Sequence, residues 1–158
     1  MGKLIINNYR DFEMYIGKQL GVSDWHTVTQ EQINKFADAT LDHQWIHVDV
    51  QRARKESPYG TTIAHGYLSI SILPYLWEQI IRVNNITMLV NYGMESLRFG
   101  QPVVVDSQVR INTTLKSLVN LRGTAKAEVE VVMEIRDSRK PAFKGVVVFL
   151  YQFREGYY

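Results

Sequence analysis

Residues 65–83 read His-Gly-Tyr-Leu-Ser-Ile-Ser-Ile-Leu-Pro-Tyr-Leu-Trp-Glu-Gln-Ile-Ile-Arg-Val. This stretch is apolar on most of its faces, which predicts a long buried helix. Pro74 lies inside it and should bend the helix or end it early. Because Pro74, Glu78 and Gln79 interrupt the apolar run, we do not expect it to span a membrane.

The character of the chain changes after Asn84 and Asn85, where segments rich in β-branched and aromatic residues begin. Alternation of apolar and polar residues, as in residues 128–131, is typical of strands with one buried face. The segments predicted as strands are 86–99, 108–118, 124–135 and 142–153. Breaks at 100–102, 120–123 and 137–141 suit hairpin loops. The sequence therefore predicts an α+β fold, in which a long antiparallel sheet wraps around one buried helix.

Three shorter helices are expected before this region. Residues 9–16 form the first, and Thr29 is placed as the N-cap of a second over 30–39, with Gln32 completing a capping box. Residues 50–56 form one or two further turns, and Asp49 is a candidate cap for them. The intervening residues 42–47 are predicted to be a loop.

The 158 residues are most simply one domain, residues 1–158. The net charge is +2 and its Lys and Arg residues are dispersed, which disfavours nucleic acid as a partner. The chain has no cysteine, so disulfides and thiolate catalysis are excluded. The N-terminal apolar stretch is too short for a signal peptide, and we expect a cytoplasmic protein with no membrane partner.

The residues of chemical interest surround the predicted loop. Residues 36–49 read Phe-Ala-Asp-Ala-Thr-Leu-Asp-His-Gln-Trp-Ile-His-Val-Asp, so the acid Asp42 precedes the imidazole of His47 by five positions. His65 and Gly66 then open the buried helix. An acid, a base and a helix N-terminus are suited to proton transfer at a substrate whose carbonyl oxygen gains negative charge.

Other interpretations of these residues are open. Taken alone, Asp42 is more often a turn or cap residue, and His47 a satisfied loop histidine. His43 and His47 are four apart, the spacing of metal ligands on a helix. They follow a helix end, however, and neither a cysteine nor a third ligand is evident, so we expect no metal. Arg98 and Arg110 alternate with apolar neighbours, which favours a solvated strand face over a phosphate contact.

The stretches Asp42-His-Gln-Trp-Ile-His47 and Ile63-Ala-His-Gly66 together resemble the MaoC-like dehydratases, also called R-specific enoyl-CoA hydratases, of the hot-dog fold. The form of the loop is similar to the nodulation protein N-like subgroup, as are the later stretches 91–93, 98–99 and 102–103. The resemblance covers roughly residues 24–151. It implies a hot-dog fold and a hydro-lyase that acts on trans-2-enoyl thioesters.

The resemblance also implies roles for single residues. Asp42 and His47 hold and activate one water, and the backbone N–H of Gly66 stabilises the oxyanion of the thioester. His65 and Gln44 are added as residues of the oxyanion and substrate site, although His65 is expected mainly to orient the loop. No cofactor is implied, since coenzyme A is part of the substrate, and a homodimer is expected.

The chain departs from the common pattern in three places, one of which is Val105-Asp106-Ser107, where a Gly-Asp or Gly-Ser turn is usual. Gln44-Trp45 stands where Asn-Pro is commoner, and Pro74 stands in the helix region where some members carry a serine near the acyl chain. The rival functions are a hot-dog thioesterase, for which Glu78 is the only acid of the central helix, and a non-catalytic module that binds acyl-CoA. Acyl groups on a carrier protein are a further possibility.

Overall fold

A computed structural model describes residues 2–158. The helices are α1 (Tyr9–Glu13), α2 (Gln30–Thr40), α3 (Trp45–Val48), α4 (Val50–Glu56), α5 (Gly66–Ser71) and α6 (Leu73–Ile80). The strands are β1 (Leu4–Ile6), β2 (Gln19–Val22), β3 (His26–Thr27), β4 (Ile81–Val83), β5 (Ile86–Phe99), β6 (Gln108–Leu121), β7 (Thr124–Ile135) and β8 (Phe143–Phe153). Among residues 2–158, no helix combines the length and the apolar character needed to cross a membrane.

The main sheet is antiparallel, with the strand order β2-β6-β7-β8-β5 and β3 paired beside β2 on β6. The four long strands match the predicted segments closely. Two of the predicted hairpins are confirmed. The turn between β6 and β7 uses Arg122 and Gly123, whose φ angles of 57° and 97° are those of a two-residue type I′ turn.

The predicted hairpin at Gly100–Pro102 is wrong, because β5 pairs with β8 and not with β6. Residues 100–107 instead cross to the segment before α5. Ala64 donates its N–H to the carbonyl of Val103 at 2.8 Å, and Val105 donates to Thr62 at 3.1 Å. These bonds fix the point at which α5 begins.

The α5–α6 pair packs against the sheet through Leu68, Leu73, Leu76, Trp77 and Ile80, all of them buried. The single helix expected from 65 to 83 is divided at Ile72. Pro74 lies in the first turn of α6, where a missing N–H costs no hydrogen bond, so the expected early stop is confirmed. The chain leaves the helix at Ile80 and continues as β4, earlier than expected.

The helix pair is less buried than the sequence pattern predicts. A stripe with a spacing of three and four residues faces solvent, and Tyr67 and Tyr75 in it are 74% and 57% exposed. The stripe is Tyr67, Ser71, Tyr75 and Glu78. The sequence pattern did not predict this stripe, because it counts tyrosine as apolar. The tyrosine hydroxyl is polar and can remain in contact with water.

The N-terminal helices follow the sequence signals in part. The Thr29 side chain caps α2 by accepting from the N–H of Gln32. The reciprocal half of the expected capping box is wrong, because the Gln32 side chain bonds the ring of His26 at 2.9 Å. The loop predicted over 42–47 is shorter than expected, since α3 begins at Trp45, and Asp49 caps α4 as predicted.

We expect Tyr151→Phe to lower the free energy of unfolding by about 1–3 kcal/mol, because the buried indole N–H of Trp77 loses its acceptor. In the wild type this N–H donates to the Tyr151 hydroxyl at 2.8 Å and joins α6 to β8. Urea denaturation measures the change. Tyr75→Phe, on the exposed face of α6, is the matched control. Equal stabilities for the two variants would show that the buried bond has no net effect.

Candidate active site

The Asp42 loop begins where α2 ends. Leu41, the C-cap, has a φ of 63°, a left-handed conformation that turns the chain away from the helix axis. Leu41 is 80% exposed and Asp42 is also exposed, so this corner of the loop is not held by apolar packing. One carboxylate oxygen of Asp42 accepts from the N–H of Gln44 at 3.4 Å, which is long for a hydrogen bond.

His47 lies in α3 and is only 8% exposed. Its Nδ1 is 2.7 Å from the carbonyl oxygen of Ile63. Because a carbonyl oxygen can only accept, Nδ1 carries the proton and Nε2 of the neutral ring keeps a free lone pair. The backbone of the same residue is fixed by Gln30, whose amide donates to the His47 carbonyl at 2.8 Å.

His65 joins the two residues. Its Nε2 donates to the backbone carbonyl of Asp42 at 2.9 Å, and its ring stacks on the ring of His47 with centroids 3.9 Å apart. One carboxylate oxygen of Asp42 and one ring nitrogen of each histidine lie within 4.8 Å of one another. A water bonded to two groups at about 2.8 Å spans about 4.5 Å, so this upper bound on the separation of acid and base is close to the span of one bridging water.

A cavity of about 170 Å³ opens beside His47. Its lining includes Gly66, Ser69, Phe99, Val103 and Ala142. A Cβ on Gly66 would meet the Phe99 ring at 2.9 Å, so glycine lets the start of α5 lie close to this ring. As the first residue of α5, Gly66 has an N–H without an intrahelical partner.

Ser69 is a residue of the cavity that the sequence did not assign to the site. The sequence places Pro74 in the region where some MaoC-like members carry a serine. The structure places Ser69 in α5, buried and in the cavity lining, three residues after Gly66. The first helix of the pair, α5, therefore presents a serine to the cavity, five residues before Pro74.

Burial lowers the pKa of His47 below the ordinary 6.5, because the interior disfavours the charged ring. The hydrogen bond to Ile63 opposes this effect, the nearby His65 adds to it, and the charge of Asp42 opposes it. The net direction is downward, so His47 is a neutral base near pH 7.

Other residues considered from the sequence lie outside this cluster. Gln44 is exposed and is the N-cap of α3, where its carbonyl accepts from the N–H of His47, so it braces the loop. Its assignment to substrate binding stays a prediction. Arg110 donates to Glu134 at 2.7 Å and lies over the Trp25 ring. Glu78, the acid that a thioesterase would need, is exposed in α6 and borders a separate cavity.

The proximity of Asp42, His47 and His65 raises the question of a metal ion. The two rings stack with only 25° between their planes. Ring nitrogens bind a metal with lone pairs that lie in the ring plane, so rings stacked in this way do not direct both lone pairs at one ion about 2 Å from each. The ring geometry therefore suits a packed pair better than a pair of ligands.

Sequence reasoning did not assign Phe99, Gln101 or Ala142 to the site, although all three line the cavity. Phe99 was visible only as part of the resemblance. These residues reach the site because β5 and β8 are neighbours, with Phe99 paired to Phe143. These residues could be found only from the pairing of two strands that are distant in sequence, and a local sequence pattern does not contain that information.

Comparison with known proteins is consistent with this geometry. The MaoC like domain matches residues 11–136. The 3-hydroxyacyl-thioester dehydratase Z of Mycobacterium tuberculosis is 46% identical over 133 residues, which cover 84% of this chain and 87% of that protein. Nodulation protein N of Rhizobium leguminosarum bv. viciae is 41% identical over 146 residues, or 90% of each chain.

The chain therefore belongs to the MaoC-like dehydratase family. Among solved structures, the unliganded R-hydratase PhaJ1 of Pseudomonas aeruginosa matches with a TM-score of 0.72 at 16% identity, and the match covers 93% of this chain and 86% of that one. The fold is the hot-dog fold, as the resemblance implied.

We expect the ring resonances of His47 to titrate in NMR with a midpoint below 6.5, and to return to about 6.5 in concentrated urea. Since the unfolded chain then binds the proton more readily, the free energy of unfolding should fall as the pH drops through 6.5 towards the folded-state pKa. The free energy of unfolding of His47→Asn should fall less than that of the wild type over the same pH range. A midpoint above 6.5 for His47 in the folded protein would contradict the lowered pKa.

Proposed function

We propose that this protein adds water to trans-2-enoyl-CoA to form (R)-3-hydroxyacyl-CoA, in a reversible reaction. The observation that carries the proposal is the approach of a neutral, buried imidazole, which lines a cavity, to the exposed carboxylate of Asp42. Membership in the family and the dehydratase name of a relative that is 46% identical support the same reaction class.

In the proposed mechanism, Asp42 and His47 hold one water between them. The free Nε2 of His47 accepts a proton as the water oxygen bonds to the β-carbon of the enoyl group. The same proton is then passed from His47 to the α-carbon, so the site returns to its starting protonation state, the product gains the elements of one water and no redox change occurs. General acid–base catalysis of this kind contributes about a hundred- to ten-thousand-fold.

Gly66 is proposed as the donor to the thioester oxygen, on which negative charge develops during the addition. Its N–H begins α5, and Gly66 lines the same cavity as His47. A donor already in place stabilises the oxyanion without reorganisation during the reaction. We propose no metal or redox cofactor, because the mechanism needs only the side chains and backbone of this site.

The location and the carrier of the acyl group are also proposals. We propose that the protein acts in the cytoplasm on acyl groups carried by coenzyme A. A carrier-protein thioester presents the same pantetheine arm to the site. The M. tuberculosis relative is named for a hydroxyacyl thioester, which includes both carriers.

A homodimer is proposed from the exposed edge of the sheet. β5 is an edge strand, and several large apolar side chains of it are exposed. They are Met88, Leu89, Tyr92, Met94 and Phe99. An unpaired apolar edge is a site of association, and a second copy of the same strand would cover it in a two-fold arrangement.

We expect Asp42→Asn and His47→Asn each to lower kcat for crotonyl-CoA hydration by about a hundred- to ten-thousand-fold. In His47→Asn, the new side-chain amide replaces Nδ1–H as donor to Ile63, but the variant has no counterpart of the basic Nε2. Loss of crotonyl-CoA absorbance measures the reaction, and a thiol assay detects any thioester hydrolysis.

The matched controls for these variants are Asp38→Asn and His43→Asn. These two residues form an exposed pair with a separation of 2.8 Å, close to the site in sequence. An exposed pair contributes little, so both controls should keep wild-type kcat within about twofold. Hydration that survives in both site variants, or thiol release as the main reaction, would contradict the proposal.

We expect Met94→Asp to shift the protein from dimer to monomer in light scattering, because a carboxylate replaces an apolar side chain at the proposed interface. Val119→Asp introduces the same charge on β6, away from that edge, and should leave the dimer intact. A wild-type monomer at micromolar concentration would be inconsistent with the proposed dimer.

A further inference from the structure

His65 is a buried imidazole to which the proposed mechanism gives no chemical role. It is 2% exposed and is absent from the lining of the cavity. Its Nδ1 is a buried side-chain atom with no hydrogen-bond partner in residues 2–158. Burying a polar ring in this way has a cost, so the contacts of the ring should account for its place in the fold.

Two contacts of the His65 side chain lead to the proposed site. Nε2 donates to the carbonyl of Asp42, which fixes the tautomer and leaves Nδ1 as the bare acceptor. The ring stacks on that of His47, and its centroid lies 5.0 Å from that of the tilted Phe36 ring of α2. The ring therefore touches the backbone of one proposed catalytic residue and the side chain of the other.

We infer that His65 is a positioning residue that holds the Asp42 loop in register with the His47 ring. The inference rests on the proposed hydratase function. The bond from His65 spans 23 residues and ties this exposed loop to the start of α5. Because Leu41 and Asp42 are exposed, burial does not replace that tie. Small displacements of a catalytic group lower the rate strongly.

Two substitutions separate the bond from the stacked ring. His65→Phe keeps a flat ring between Phe36 and His47 but removes the donor to Asp42. His65→Gln removes the ring but places an amide N–H near the position of Nε2. If the bond positions the loop, His65→Phe should lower kcat by about 10- to 100-fold with KM changed by less than about threefold, and His65→Gln should recover most of kcat.

Phe36→Leu is the control for packing alone. It removes the aromatic ring beside His65 and keeps the donor of the bond to Asp42. We expect Phe36→Leu to have a lower melting temperature than the wild type and an unchanged kcat. If His65→Phe does not fold, His65→Leu replaces it, since it also lacks the donor.

The loop can also be observed without turnover. Backbone ¹⁵N order parameters at residues 42–44 should be lower in His65→Phe than in the wild type, and close to wild type in His65→Gln. Equal loss of kcat and equal order parameters in the two variants would overturn the positioning role, as would wild-type kcat in His65→Phe. A wild type without hydratase activity would contradict the proposed function, and the comparison of order parameters would still decide the role of His65.

Discussion

Burial of the α5–α6 pair against the antiparallel sheet is the constraint on which the rest of this structure depends. The apolar faces of the two helices and the inward residues of the long strands form one core. Trp77 and Tyr151 place a hydrogen bond inside it and so fix helix and sheet relative to each other. Since apolar burial supplies most of the stabilisation of a domain, the start of α5 is held by the whole core.

Packing of the helix pair affects the proposed active site through backbone hydrogen bonds. Residues 62–64, just before α5, are bonded to the crossing segment between β5 and β6. Ile63 lies within this fixed segment, and its carbonyl accepts from Nδ1 of His47. The core thereby sets the tautomer of His47, and burial of the ring lowers its pKa and keeps it neutral near pH 7. The carbonyl oxygen of Ile63 therefore links the packing of the core to the protonation of the His47 ring.

The sequence predicted the elements better than their arrangement. Strand alternation and the signals at Thr29, Asp49 and Pro74 are local, so they placed β5–β8, two caps and the helix break well. Strand order is not local, and the crossing at Gly100–Pro102 was therefore missed. Gln32 was misassigned because its capping bond competes with His26, which adjoins it only in the folded chain. The stacking of His65 on His47 likewise depends on tertiary structure.

The hydrogen bonds of the Asp42 carboxylate distinguish a functional role for this residue from a purely structural role in a turn. Carboxylates that cap or brace the chain here have short bonds: Asp49 accepts from Arg52 at 2.9 Å, and Asp11 from Asn7 at 3.0 Å. Asp42 accepts from Gln44 only at 3.4 Å, and its other oxygen is 4.0 Å from His65. The loop is held instead by its backbone carbonyl, through His65. The carboxylate oxygens thus keep their capacity to accept from a water, which a carboxylate committed to a cap would have lost.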